Sequence, residues 1–425
     1  MDNQLKQVIS WSLYDWANSA FATTVMAGFF PVFFKQYWNI GTEVTVSTFQ
    51  LGVANSLASL TIGLLAPVLG AIADRGGTKK KFLLFFASFG MVMTGSLSLV
   101  AQGDWKLAAG LYVLATVGFL GGNIFYDSLI VNVSTEKKMD FISALGYSLG
   151  YLGGGLLFAV NVAMTLTPKT FGLNNPVEAI RLSFLSVALW WMVFSLPIFL
   201  FVKEPQRSNH LMGRNVVFAG FRQLSSTFHD IHKLRIVFLF LLGYLLYIDG
   251  VHTIIRMALD YGMSLGFDSN SLIVALLITQ FVGFPAALVF GKIGEKWGTK
   301  TGIFIGIGVY ILATLWGFVM QREIDFFVLA VAIGLVQGGV QSLSRSFFTR
   351  IIPKSKAAEF FGFYNMLGKF SAVIGPMLMG WISMATGNPR CSILGVSLLF
   401  IGGAAILYRV NETEGNLMAK TLEEL

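Results

Sequence analysis

Gly70-Ala71-Ile72-Ala73-Asp74-Arg75-Gly76-Gly77-Thr78-Lys79 recurs later in the chain as Gly291-Lys292-Ile293-Gly294-Glu295-Lys296-Trp297-Gly298-Thr299-Lys300. Aligned without gaps, Gly70 falls on Gly291, Asp74 on Glu295, Arg75 on Lys296, and Gly77-Thr78-Lys79 on Gly298-Thr299-Lys300. Each copy is a short charged stretch between two long apolar runs. A charged hairpin that repeats between membrane-length segments implies two copies of one membrane unit.

The composition agrees. Of 425 residues, 55% are hydrophobic and 12% charged, against about 25% charged in a soluble domain. Gly is abundant at 46 residues, as it is in transmembrane helices. The net charge of +8 does not point to nucleic acid, because the basic residues sit in short loops between apolar runs and form no base-reading surface. With the single cysteine Cys391 no intramolecular disulfide is possible. The first residues lack the short apolar core and cleavage site of a secretory signal, so the first run is expected to stay in the membrane.

A helix needs about 20 apolar residues to cross the hydrocarbon core. Twelve such runs are expected, at roughly 10–35, 48–71, 82–101, 106–131, 142–165, 181–202, 236–258, 270–290, 301–320, 325–347, 359–385 and 391–409. Lys and Arg gather in alternate loops: Arg75 and Lys79–Lys81, Lys137 and Lys138, the segment Lys203–Arg235, Lys292–Lys300, and Arg350–Lys356. The positive-inside rule then places these loops and both termini in the cytoplasm. The expected fold is an all-α membrane protein of twelve transmembrane helices in two six-helix halves, 1–202 and 236–410. A cytoplasmic segment, 203–235, joins them, and a cytoplasmic tail, 411–425, follows. Val217, Phe221, Leu224, Phe228 and Ile231 recur at spacings of four and three in the joining segment, which predicts an amphipathic interfacial helix.

Gly146, Gly150 and Gly154 strip one face of the fifth run of side chains, so a neighbouring helix can approach closely. Ionisable residues inside spans are costly and are functional candidates by default. Asp15 and Asn18 share a face early in the first run, and Asp127 lies late in the fourth, a turn after Asn123. Both carboxylates are expected in the cytoplasmic third, where two facing one cavity suit a proton carrier. In the seventh run Asp249, Thr253, Arg256 and Asp260 are spaced four, three and four, with His252 beside them; the stripe is expected to line a water-filled path. Gln337, Gln341 and Ser344 share a face of the tenth run, with Arg345 near its inner end, and the eleventh carries Tyr364, Asn365 and Lys369. Asn55 and Gln280 are single polar groups. No metal-ligand spacing, Walker loop or nucleophile elbow occurs. The expectation is therefore no enzyme, no metal, no cofactor and no ATP-driven transport.

Gly70-x-x-x-Asp74-Arg75-x-Gly77-x-Lys79 resembles the loop between the second and third helices of the major facilitator superfamily, and Gly291–Lys300 stands where that superfamily has its second copy. The resemblance covers essentially the whole chain. It departs at Thr78, where the superfamily usually has a basic residue. Tyr14-Asp15-Trp16-Ala17-Asn18-Ser19-Ala20-Phe21 and Gly121-Gly122-Asn123-x-x-Tyr126-Asp127 look more specifically like the vacuolar effluxer-like branch, related to fungal autophagy-associated amino-acid effluxers. The resemblance implies a secondary transporter working by alternating access, with amino acids or short peptides as first substrate class. It also implies loops that stabilise the state closed to the cytoplasm without touching substrate. In the residues themselves, Asp74 is able to pair with a basic residue or a helix N-terminus across that gate.

The expected function is thus a proton-coupled or facilitative carrier of a small polar solute, monomeric, in the cell (inner) membrane if bacterial. Asp15, Asp127 and Asp249 are assigned to coupling or amine binding, and Arg345 and Lys369 to solute carboxylate or charge compensation. Efflux of amphipathic compounds through an apolar pocket is the alternative within transport. A non-transporting membrane sensor is the alternative of another class.

Overall fold

The computed structural model describes residues 3–42, 44–204, 234–386 and 388–424. The amphipathic helix expected within 203–235 lies outside the described residues, as do the side chains of Arg75, Asp260 and Lys369. The described residues form helices and turns, with no strand. Twelve are long: α1 (Asn3–Trp38), α2 (Val44–Gly76), α3 (Lys79–Ser96), α4 (Trp105–Ser128), α5 (Met139–Leu166), α6 (Pro176–Phe201), α7 (Arg235–Ser264), α8 (Ser269–Trp297), α9 (Thr299–Val319), α10 (Glu323–Ile351), α11 (Ala357–Thr386) and α12 (Pro389–Tyr408). A short α13 (Glu412–Glu424) closes the chain. Eleven of the twelve meet the length and hydropathy of a membrane span. The remaining one, α11, is 30 residues long, with part of its side chains outside the described residues.

The helices overrun the apolar runs, because a helix continues through polar turns once its backbone hydrogen bonds are laid down. Thus α1 begins at Asn3 and α5 at Met139. Ends are capped by side chains: the Asn175 Oδ1 accepts from the Glu178 N–H at 2.9 Å, and the Asn388 Oδ1 from the Arg390 N–H at 2.9 Å. Large apolar side chains stay exposed around the outside, Leu64 at 68% and Leu312 at 66% among them. In water such a surface would drive association; in a bilayer it is the solvated face.

Within each half of the sequence, α1 packs on α5 and α6, α3 on α4, α7 on α12 and α8 on α10. Helices also cross between the halves: α2 and α4 with α11, and α5 with α8 and α10. The glycine face of α5 lies on α1, as its spacing predicts. A Cβ at Gly150 would lie 2.6 Å from the Ser19 Oγ, and one at Gly153 2.6 Å from the Trp16 ring. Beyond Ala20, α1 widens into π-type turns at Phe21–Phe29 and again at Phe34–Trp38. π-Turns inside α-helices tend to mark functional segments.

Both repeated loops meet the rest of the chain at one end of the bundle. There the Glu204 carboxylate accepts from the N–H groups of Lys79 (2.7 Å) and Lys80 (3.2 Å), closing the start of α3. The Lys80 Nζ donates to the carbonyls of Phe199 and Val202 at the end of α6, at 2.8 and 2.7 Å. The Lys300 Nζ does the same for Tyr408 and Val410 at the end of α12, at 2.9 and 2.7 Å. Each cation thereby satisfies the terminal carbonyls of one helix and meets the negative end of its dipole. The ungapped alignment pairs Lys300 with Lys79; in space its counterpart is Lys80.

Candidate functional site

At the loop end, α5 and α10 run antiparallel and are joined in three polar layers. On α5 the joining residues are Asp140, Ser143, Tyr147 and Tyr151, spaced three, four and four, hence on one face.

The outermost layer centres on Asp140, which is fully buried. Its carboxylate takes the Arg350 Nη2 at 2.7 Å, the Thr299 hydroxyl at 3.1 Å and the Ser346 hydroxyl. The Arg350 Nη1 also reaches the Glu412 Oε1 on α13, at 2.8 Å. One guanidinium therefore links α5, the second repeated loop and the C-terminal helix. Arg350→Met should lower thermal stability in detergent markedly, because it strands a buried carboxylate, at a cost of ~3 kcal/mol. Glu412→Gln should change it by less than about 1 kcal/mol, since that carboxylate is partly exposed. Equal effects of the two substitutions on the melting temperature would contradict this ranking.

The middle layer centres on Arg345, 1% exposed. Its Nη1 lies 3.1 Å from the Asp127 Oδ1 on α4 and 3.5 Å from the Asp15 Oδ2 on α1. Its Nε donates to the Ser143 Oγ at 2.9 Å and its Nη2 to the Ser143 carbonyl at 2.8 Å. The guanidinium also lies 4.4 Å from the Tyr147 ring centroid and 4.9 Å from that of Trp11. Around it, the Tyr126 hydroxyl donates to the Asp15 Oδ2 at 2.7 Å, and the Asn365 amide of α11 to the Asp127 Oδ2 at 3.2 Å. The Trp11 indole N–H donates to the Tyr126 carbonyl at 3.0 Å and its ring stacks on Tyr126. Gly146 makes room for this cluster: a Cβ there would lie 2.6 Å from the Asp15 Oδ2 and 3.1 Å from the Arg345 Nη2.

The innermost layer is a chain in which the Gln337 Nε2 donates to the Tyr151 hydroxyl (2.9 Å), which donates to the Gln341 Oε1 (3.0 Å). All three layers bind the first half of the sequence to the second.

The two loops reinforce the same end unequally. The Asp74 Oδ2 accepts the Glu359 N–H at the start of α11 at 2.9 Å, while the Lys79 Nζ lies 2.8 Å from Oδ1. Asp74 thus meets both partners open to it on sequence grounds, a cation and a helix N-terminus. In the second copy Glu295 and Lys296 are exposed, and Thr299 makes the crossing to Asp140 instead. Gly77 and Gly298 have φ of 57° and 93°, in the region that favours glycine. Gly70 and Gly291 sit at helix crossings. A Cβ on Gly70 would lie 2.6 Å from the Ala358 carbonyl carbon, and one on Gly291 2.6 Å from the Ala144 Cβ.

The other sequence candidates fall into two regions. Asn18 donates to Asn123 at 2.7 Å, one turn beyond Asp15 and Asp127. Farther from the loop end, Asp249 and Thr253 are fully buried, His252 is half-buried and Arg256 is exposed. Asn55 accepts from the Tyr112 hydroxyl at 2.8 Å, and Gln280 lies beside Gly155. Ser344 does not join Gln337 and Gln341; its hydroxyl pairs with that of Tyr247 on α7 at 2.8 Å. Tyr364 stacks on Tyr244, with centroids 4.2 Å apart. Asp140, Ser143, Tyr147 and Tyr151 were not singled out in advance. The three-four-four polar stripe opening α5 was the available signal. Among the described residues no group of His, Cys, Asp and Glu has the arrangement of a metal site.

Chemically, Arg345, Asp15 and Asp127 hold two carboxylates against one guanidinium. If both acids are ionised one negative charge is left over in a buried site, and a single proton on the pair cancels it. The cluster is therefore able to exchange a proton, and breaking it removes the ion pairs that tie α10 to α1 and α4.

Chains of known type share this architecture. The protein is 39% identical to the uncharacterized MFS-type transporter YxiO of Bacillus subtilis (strain 168), over 96% of this chain and 95% of that one. Its backbone resembles the crystal structure of the major facilitator superfamily transporter FucP in the outward conformation, with a TM-score of 0.69 at 12% identity, over 97% of this chain and 99% of that one. It also resembles the proton:xylose symporter XylE, with a TM-score of 0.68 at 12% identity, over 99% and 98% of the two chains. The family described as vacuole effluxer Atg22-like matches residues 3–420. This chain therefore belongs to the Atg22-like family, and is a multi-pass membrane transporter of the major facilitator superfamily.

Proposed function

We propose that the protein is a proton-coupled carrier of small polar solutes, with amino acids or short peptides as the favoured class. In this reading residues 1–202 and 236–410 rock about the solute, joined through 203–235. In keeping with the Lys/Arg distribution, the loop end and both termini are assigned to the cytoplasm, and the membrane to the cell (inner) membrane if the host is bacterial. The conformation described is then the one closed to the cytoplasm. The observation that carries the reading is Arg345, buried at the meeting of α1, α4, α5 and α10 and shared by Asp15 and Asp127. When the halves part at this end, the guanidinium loses both carboxylates. A proton or a solute ammonium is then the natural replacement on the acids, and a solute carboxylate on the arginine. A zwitterion offers both. Arg256, exposed within a membrane-length helix, and Lys369, on α11, are assigned to the approach of the solute carboxylate. The working unit in this reading is a monomer.

The test is a thermal-shift screen of the purified protein against amino acids, short peptides, sugars and lipophilic cations, at several pH values. It is followed by uptake of the best ligand into proteoliposomes. Stabilisation by zwitterions and uptake driven by a pH gradient are expected. Asp127→Asn should lose the pH dependence. Uptake by Asp127→Asn with an unaltered pH profile would remove this carboxylate from coupling. Stabilisation by lipophilic cations alone would favour amphipathic efflux, and binding without any flux a sensor.

A further inference from the structure

Asp249 stands apart from the Arg345 cluster and is in a different chemical situation. It lies on α7 in the second half, with its side chain fully buried. One oxygen, Oδ1, is 3.4 Å from the Thr253 hydroxyl and faces the α11 backbone at Gly375, where a Cβ would lie 3.1 Å from that oxygen and 2.9 Å from the Thr253 Cβ. The other oxygen, Oδ2, is buried without a hydrogen-bond partner. Among the described residues no cation lies within ion-pair distance of it.

The surroundings sharpen the point. On α7 itself the nearest titratable groups toward the far end are His252 and Arg256. Arg256 is seven residues on, which is about 10 Å along the helix. On α11 the charged residue nearest in sequence is Lys369, six positions before Gly375, with Glu359 sixteen positions before it. On α10 it is Arg345, which is committed to Asp15, Asp127 and Ser143. α12 meets this stretch through Phe400, against Gly250, and carries no titratable residue between Cys391 and Tyr408.

An ionised carboxylate in such a place costs far more than a neutral acid, which has only one unsatisfied O–H to bury. We infer that Asp249 carries a proton in this conformation, so that the second half has a proton site separate from the Arg345 cluster. The stripe around it supplies a route: Asp249 and Thr253 are sealed, His252 is half-buried and Arg256 is exposed. A small shift of α7 against the side-chain-free Gly375 would admit water to the carboxyl group and release the proton toward the Arg256 end. This gives the proposed carrier one proton site in each half of the sequence. It rests on the transport reading only for that consequence, because the protonation itself is read without any flux.

The experiment is infrared difference spectroscopy of the purified full-length protein in lipid nanodiscs at neutral pH, comparing wild type with Asp249→Asn. Loss of a protonated-carboxyl C=O band in the variant is expected. Loss of carboxylate stretching bands instead would show Asp249 ionised and overturn the inference. Thr253→Val, which removes only the hydroxyl donor, provides a second reading should the first variant fail to fold. The same C=O band should persist but shift to higher frequency, and an unshifted acid band would count against the assignment. A carrier without proton coupling would still show the band, so the two proposals fail separately.

Discussion

Arg345→Ala is expected to abolish transport and to destabilise the protein by ~3–5 kcal/mol, the usual cost of stranding buried ion-pair partners. The side chain is 1% exposed, and water cannot replace it without entering the seal. Its loss leaves Asp15 and Asp127 facing each other, and it unlinks α10 from the Ser143 carbonyl and hydroxyl. Arg345→Lys should rescue little. A lysine is a point charge with a compact donor head, whereas here one planar fork serves Ser143 through Nε and Nη2 and the acids through Nη1. The effect is measured as thermal unfolding in detergent and as alkylation of a single cysteine placed at the loop end, in a Cys391→Ser background. A variant that melts like wild type, with its loop end equally protected, would show that Arg345 is not the centre of the seal. Asp15→Asn with Asp127→Asn should partly restore stability to Arg345→Ala, since two neutral amides remove the repulsion. It should not restore coupling.

Gly70→Ala is expected to cut transport by about tenfold or more, equivalent to at least 1.4 kcal/mol against the closed state. The reason is rigid. The added methyl would meet the Ala358 carbonyl and lie 2.8 Å from the Glu359 Cα, and neither is the end of a flexible side chain. The same interface recurs one level deeper, where a Cβ on Gly362 would lie 2.6 Å from the Ala66 carbonyl oxygen and 2.7 Å from the Pro67 Cα. The first of these contacts lies beside the Asp74–Glu359 hydrogen bond, so the methyl also pries that latch open. Overpacking here penalises the state in which α2 and α11 touch and leaves the separated state alone. The loop-end cysteine should therefore react faster while the melting temperature falls only modestly. Gly308→Ala is the matched control, because a Cβ there meets nothing within 4 Å. If Gly70→Ala kept both transport and protection at control values, the close approach of α2 to α11 would not be part of the working cycle.

Much of the fold was legible in the chain because its signals are local. Apolar runs of membrane length, the repeated loop and the resemblance of the Asp15 and Asp127 segments to an effluxer-like branch each need only a few neighbouring residues to be read. Helical periodicity likewise picked out the stripe from Asp249 to Arg256 and the glycine face of α5. Asp140 escaped for a reason of the same kind. It lies just before the apolar run expected at 142, beside Lys137 and Lys138, and looks like an ordinary loop acid. Only the extension of α5 back to Met139 and the arrival of Thr299, Ser346 and Arg350 turn it into a buried anion. The non-equivalence of Asp74 and Glu295 was equally hidden, since aligned residues need not meet aligned partners.

Alone, then, the sequence determined a membrane protein of twelve long helices, because hydropathy and loop charge are carried along the chain itself, and its resemblance to a known superfamily pointed to a transporter. The tertiary structure decided which helices face one another. It set Arg345 against both Asp15 and Asp127, joined α5 to α10 in three layers, and left Asp249 buried with no cation at ion-pair distance among the described residues. When every helix is apolar, hydropathy does not choose between neighbours. The choice falls to shape and to a few buried polar groups whose partners lie a hundred or more residues away.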